Sequence, residues 1–184
     1  WQSALWNGLD VLRFDGAGDQ MQSTFGAAFA TANQTVFAVL KLDPTGGGTD
    51  TAPWLTHAGA DFPVAGIWPR YTSNQLQAIV DNQTPQLGSY VNAWRGRVTT
   101  CLVHDGANGC ETFYYNGNGV NAGFSGITGT LASAKLGLGG RLSSGVPNGN
   151  VGMFLAEILV YDSILTDDQI SDTHWYLKEK WGIR

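Results

Sequence analysis

The sequence predicts an all-β fold, a two-sheet antiparallel jelly-roll sandwich closed by one C-terminal helix. Three observations carry this prediction. Short β-type runs bounded by turn residues recur along the chain. Polarity comes from small uncharged side chains and turns, with 25 Gly among 184 residues and only 14% charged residues, against an average of about 25%. A single capped helical pattern appears at the end. With 43% hydrophobic and 11% aromatic residues, the chain can bury one core, and its length suits a single domain over 1–184.

In order, the expected strands are 11–14, 35–42, 54–57, 66–71, 75–80, 97–104, 111–115, 134–138 and 152–161. Thr45-Gly46-Gly47-Gly48-Thr49 reads as a loop between strands. The helix is expected to start at Thr166 as N-cap, with Gln169 completing a capping box and Asp167 and Asp168 facing the positive end of the dipole. Lys178 and Lys180 suit its last turn, and Gly182 ends it. Ile170, His174, Leu177 and Trp181 fall on one face, which should be the buried stripe.

Net charge is −5, and the ten basic residues are scattered, which disfavours a nucleic-acid partner. No apolar run approaches the roughly 20 residues of a membrane span, and no basic amphipathic helix is present. The composition suits an extracellular protein. The abrupt start at Trp1 reads as a processing boundary.

Catalytic signatures are missing. The three Glu residues, Glu111, Glu157 and Glu179, are isolated, and none belongs to a carboxylate pair on one strand face of the kind that glycoside hydrolysis uses. Neither HExxH, HxH nor G-x-S-x-G occurs. No enzyme is expected. Cys101 and Cys110 flank a turn around 105–109 and read either as a disulfide or as two small buried thiols. A symmetric turn would set His104 opposite Cys110 and Cys101 opposite Phe113.

Aromatics are the other resource. Trp54, His57, Asp61, Trp68, Arg70 and Tyr71 lie within 54–71, where aromatic faces and hydrogen-bonding groups suit a sugar. This stretch, read as a scaffold-supported loop region, is the expected ligand face. Asp15 and Asp19 would supply oxygens to a structural Ca²⁺, and the competing and preferred reading is a tight Asp-Gly turn. No other cofactor is expected.

Several segments together carry a family resemblance: 7–16, 35–40, Trp94, the Asp105-Gly106 turn, Phe113-Tyr114-Tyr115-Asn116-Gly117, 156–162, Leu165-Thr166 and 176–183. In that order they resemble laminin-G-like domains of the concanavalin A-like lectin/glucanase superfamily, of the bacterial surface or phage virion type. The resemblance implies the sandwich fold, and a short N-terminal part outside this sequence. The acid quartets of the family's glucanases and the motifs of its alginate lyases are absent. The expectation is therefore a non-catalytic glycan-binding or adhesion module of an extracellular protein, its partner a polysaccharide or cell-surface glycan. The alternative is a structural or receptor-binding domain of a phage virion that packs against other subunits, and the third reading is a polysaccharide hydrolase or lyase.

Overall fold

The computed structural model describes residues 3–29, 32–43, 54–57, 63–70, 75–80, 96–108, 110–125, 133–143 and 146–184. Fourteen strands and one helix lie within them: β1 (Ser3–Trp6), β2 (Leu9–Asp15), β3 (Met21–Phe29), β4 (Asn33–Leu42), β5 (Trp54–His57), β6 (Pro63–Arg70), β7 (Gln75–Val80), β8 (Val98–Asp105), β9 (Cys110–Tyr115), β10 (Asn118–Ser125), β11 (Ser133–Leu138), β12 (Gly140–Ser143), β13 (Val146–Asn150), β14 (Gly152–Tyr161) and α1 (Asp167–Trp181). A seven-stranded sheet runs β1-β2-β14-β4-β8-β9-β10, a five-stranded sheet runs β3-β11-β5-β6-β7, and β12 pairs with β13. All these pairings are antiparallel.

The seven-stranded sheet is apolar on both sides at its centre. Phe37 and Val39 of β4 share one face with Cys101 and Val103 of β8, and this face packs against Ile170, Leu177 and Trp181 of α1. Val36, Ala38, Leu40 and Leu42 alternate to the other face, where they join Phe14, Leu102, Phe113 and Met153 in the interior of the sandwich. That two-sided burial explains why β4 reads as a nearly continuous apolar run. Two hairpins close on Asn-Gly pairs, Asn7-Gly8 and Asn116-Gly117, and all four residues have positive φ. Type I′ turns need that geometry, and they match the twist of the flanking strands.

The helix forms as its sequence predicts. Gln169 N–H donates to Thr166 Oγ1 at 3.3 Å, and Thr166 N–H donates to Gln169 Oε1 at 2.9 Å. At the other end Gly182 adopts φ 62, and the N–H groups of Gly182 and Ile183 return to the carbonyls of Glu179 and Lys178. The expected stripe of Ile170, His174, Leu177 and Trp181 is buried. Polar contacts then fix the helix on the sheet. Asn7 Nδ2 donates to the carbonyls of Glu179 and Lys180, and Tyr114 Oη donates to Asp167 at 3.1 Å. Thr166→Ala is expected to cost about 0.5–2 kcal/mol through the lost cap; an unchanged urea midpoint would contradict this.

Five strands escape the sequence reading: β1, β3, β10, β12 and β13. They are short or rich in Gly, Ala, Ser and Asn, residues with weak β preference. The expected β8–β9 register is also corrected by one residue. Asp105 pairs with Cys110, His104 with Glu111, and Cys101 with Tyr114. Asp105 sets this register by folding the turn onto itself, its Oδ1 accepting from the N–H groups of Ala107 and Asn108. Cys101 is buried and free, four residues along β8 from the position facing Cys110, so the disulfide reading is set aside. Burial pushes the Cys101 thiol pKa up, leaving an inert core side chain.

Candidate functional site

Strands β5 and β6 carry the described ligand residues expected from the sequence, and the pairing of the five-stranded sheet determines which positions share a face. Met21, Leu138, Trp54, Ile67 and Ala78 form one row across the sheet. Two residues along, Ser23, Leu136, Thr56, Ala65 and Val80 form another row on the same face. Leu136 on this face is buried, as is Gly137 on the other, and Met21 at the edge of the first row is 39% exposed. The alternate positions belong to the opposite face. Lys135 pairs with His57, Trp68 pairs with Gln77, and Arg70 pairs with Gln75.

The sequence-predicted residues therefore divide. His57, Trp68 and Arg70 hold register positions on the face opposite Leu136, while Trp54 is in register with Leu138 and Ile67 on the face of Leu136. Asp61 and Tyr71 lie outside the described residues. The stretch expected as a loop region is folded largely as two paired strands, Trp54–His57 and Pro63–Arg70. The strands expected at 54–57 and 66–71 thus form, and the described part of the expected ligand stretch lies on a sheet rather than in a loop region. Lys135, Gln75 and Gln77 hold register positions on the same face as His57 and Trp68. Period-two alternation in Gln75-Leu76-Gln77 and Ala134-Lys135-Leu136 carries the signal that would have found them.

Asp15 and Asp19 shape a turn. Asp15 Oδ1 accepts from Ala17 N–H at 2.7 Å and Gly18 N–H at 3.3 Å, while Asp19 Oδ2 accepts from Asp15 N–H at 3.2 Å. The bond from Ala17 leads in holding the Asp15 carboxyl below its usual pKa. Among the described residues, no three His, Cys, Asp or Glu side chains gather as a metal site would need.

Glu157 is held between strand and helix. Glu157 Oε1 takes Lys180 Nζ at 3.0 Å, and Glu157 Oε2 accepts from Trp181 Nε1 at 2.6 Å, tying β14 to α1. The bond to Glu157 is the leading cause that raises the Lys180 pKa. Tyr114 is pushed up to about 12, first by burial and then by its bond to Asp167. No helix among the described residues is long and apolar enough to cross a membrane.

No protein-family model matches the chain, and no curated protein matches it in sequence. Solved structures do. Trypanosoma rangeli sialidase in complex with sialic acid superposes with a TM-score of 0.67 at 18% identity, over 92% of this chain and 28% of that one. The native heptameric SAP-like pentraxin from Limulus polyphemus gives 0.65 at 14% identity, over 88% of this chain and 80% of that one. The K499G mutant of NanB sialidase from Streptococcus pneumoniae gives 0.59 at 16% identity, over 88% and 27%. The chain thus spans about a quarter of the length of these sialidases. At such identities the likeness establishes architecture alone, and that architecture is the concanavalin A-like antiparallel sandwich with a C-terminal helix.

Proposed function

We propose that this chain is a non-catalytic glycan-binding module of an extracellular protein, of the laminin-G-like type, and that it binds through the face of its five-stranded sheet opposite Leu136. The observation that carries the reading is the register that places His57, Trp68 and Arg70 on that face. An indole offers an apolar face to a sugar ring, and flanking polar groups bond its hydroxyls. Residues on regular strands hold such a constellation better than a loop does. The engagement of Glu157 by Lys180 and Trp181 fits a binding role better than hydrolysis. The neighbouring structures add a coarse support, since one of them holds sialic acid.

A glycan array on the purified domain tests this, followed by Trp68→Ala. The variant is expected to lose roughly 1–3 kcal/mol of affinity, a size taken from bases stacked on aromatics, with its melting temperature unchanged. A loss of stability of about 3–5 kcal/mol would instead mark Trp68 as core and end the reading.

One observation favours the alternative of packing in a larger assembly, such as a virion. Trp175 is 68% exposed and Tyr176 48% exposed on the outer side of α1. Trp175→Ser distinguishes the two readings: it breaks self-association if the helix packs on another subunit, and leaves glycan binding intact if it does not.

A further inference from the structure

The outer side of α1 carries the most exposed aromatic rings among the described residues. Trp175 is 68% exposed and Tyr176 48% exposed, while Ile170, His174, Leu177 and Trp181 of the same helix are buried against the sheet. Neither outer ring belongs to the core that α1 builds with the sheet, so folding alone does not account for them. Large aromatics exposed on a rigid element mark interaction surfaces.

Acids surround this pair. Asp172 precedes Trp175 by three residues and Tyr176 by four, and Glu179 follows them by four and three, so both acids neighbour the rings on the helix surface. Asp168 continues the same ridge one turn earlier. All three are exposed, and among the described residues no ion pair takes up their carboxylates. The helix lysines lie on the flanks of the ridge, both half-buried. Lys180 Nζ is held by Glu157 Oε1 at 3.0 Å and stands 5.4 Å from the ring centre of Tyr176. Tyr176 thus already receives one cation, while Trp175 receives none among the described contacts.

This charge selects the occupant. A second copy packed helix against helix would bring like charges together. An antiparallel pair centred between Trp175 and Tyr176 sets Asp172 opposite Glu179, and a parallel pair sets Asp172 opposite itself. A cationic group meets the reverse: the indole face attracts a guanidinium, and carboxylates on either side accept its hydrogen bonds. From Asp168 to Glu179 the ridge is about 16 Å long, at ~1.5 Å per helical residue. An extended chain covers that length in about five residues.

We propose that the outer face of α1 docks a basic segment of a partner protein, held extended along the helix, with an Arg stacked on Trp175 and further basic residues meeting Asp168, Asp172 and Glu179. Helix α1 packs on the seven-stranded sheet, so this surface is separate from the strands that carry His57, Trp68 and Arg70, and the inference does not rest on the glycan reading.

The experiment titrates the intact domain with three end-blocked octapeptides: alternating Arg-Ser, alternating Lys-Ser and alternating Glu-Ser. The Arg peptide is expected to bind about threefold more tightly than the Lys peptide, because a guanidinium stacks on an indole as well as pairing with acids. The Glu peptide should not bind, and added NaCl should weaken the other two. Trp175→Ser and the double variant Asp172→Asn/Glu179→Gln should each weaken Arg-peptide binding about tenfold. All these positions are exposed, so melting temperatures should not move. Asp10→Asn, which removes an exposed acid from β2, should leave binding unchanged. Equal losses in Asp10→Asn and Asp172→Asn would show general attraction to an acidic protein and overturn the inference. Native affinity in Trp175→Ser, or no binding of either basic peptide, would overturn it too. So would a dimer seen by sedimentation and abolished in Trp175→Ser, which would assign the face to a second copy.

Discussion

Gly139→Ala is expected to destabilise the domain by about 2–5 kcal/mol. Gly139 joins β11 to β12 with φ +79, a left-handed conformation that costs an L-residue about 1–2 kcal/mol. Space is also lacking. A Cβ there would collide with Cδ1 and Cε1 of Phe14 and stand 2.9 Å from the Asp19 carbonyl oxygen. Phe14 is fully buried in β2 and cannot retreat, and overpacking of this kind costs about 1–3 kcal/mol. The site is where the chain leaving the five-stranded sheet touches the seven-stranded one, so the strain falls on the contact between layers. Gly18→Ala is the control: a Cβ there meets nothing within 4 Å, and the change should stay within about 0.5 kcal/mol. Urea midpoints measure both variants, and similar values for the two would contradict this account.

A second large effect depends on pH. His174 is 2% exposed beneath α1, its Nδ1 is 2.8 Å from Thr99 Oγ1, and its Nε2 is buried without a hydrogen-bond partner. Phe37 stands edge-on to the ring at 5.2 Å between centroids, and Tyr114 is tilted against it at 6.3 Å. Burial, with Lys178 adding repulsion, lowers the His174 pKa to about 4. The unfolded chain, with an ordinary value near 6.5, therefore binds a proton that the folded protein refuses between those limits. Stability is full above about pH 6.5 and declines as pH falls toward 4, a loss of about 3 kcal/mol. His174→Gln keeps a neutral partner for Thr99 and does not titrate. Denaturation across pH 4–7 should show this decline in the native protein and a shallower one in the variant; the difference isolates His174 from the carboxylates. Parallel curves would contradict the assignment.

The helix was legible in full because its signals are local. The cap at Thr166, the buried stripe and the stop at Gly182 each depend on a few adjacent residues. The central strands were legible from apolar runs such as 35–42 and 152–161. Strands β3 and β10, with sequences MQSTFGAAF and NGVNAGFS, were not, because cross-strand pairing rather than intrinsic preference makes them strands. The candidate site was legible in its residue types and not in its geometry. Trp54 and Trp68 look equivalent in sequence, yet the pairing of Trp54 with Ile67 sends Trp68 to the opposite face. Lys135 was invisible for the same reason, lying far along the chain and reaching His57 only through the β11–β5 register.

Glycan binding to the face of the five-stranded sheet opposite Leu136 is tested most directly by amide shift mapping of the isotopically labelled domain during titration with a glycan bound on the array. The account predicts shifts concentrated on β5, β6 and β11, around His57, Trp68, Arg70 and Lys135, with α1 and the Asp15–Asp19 turn unmoved. Shifts gathered at α1 or at the Asp15–Asp19 and Asp105–Asn108 turns, with that sheet silent, would contradict it.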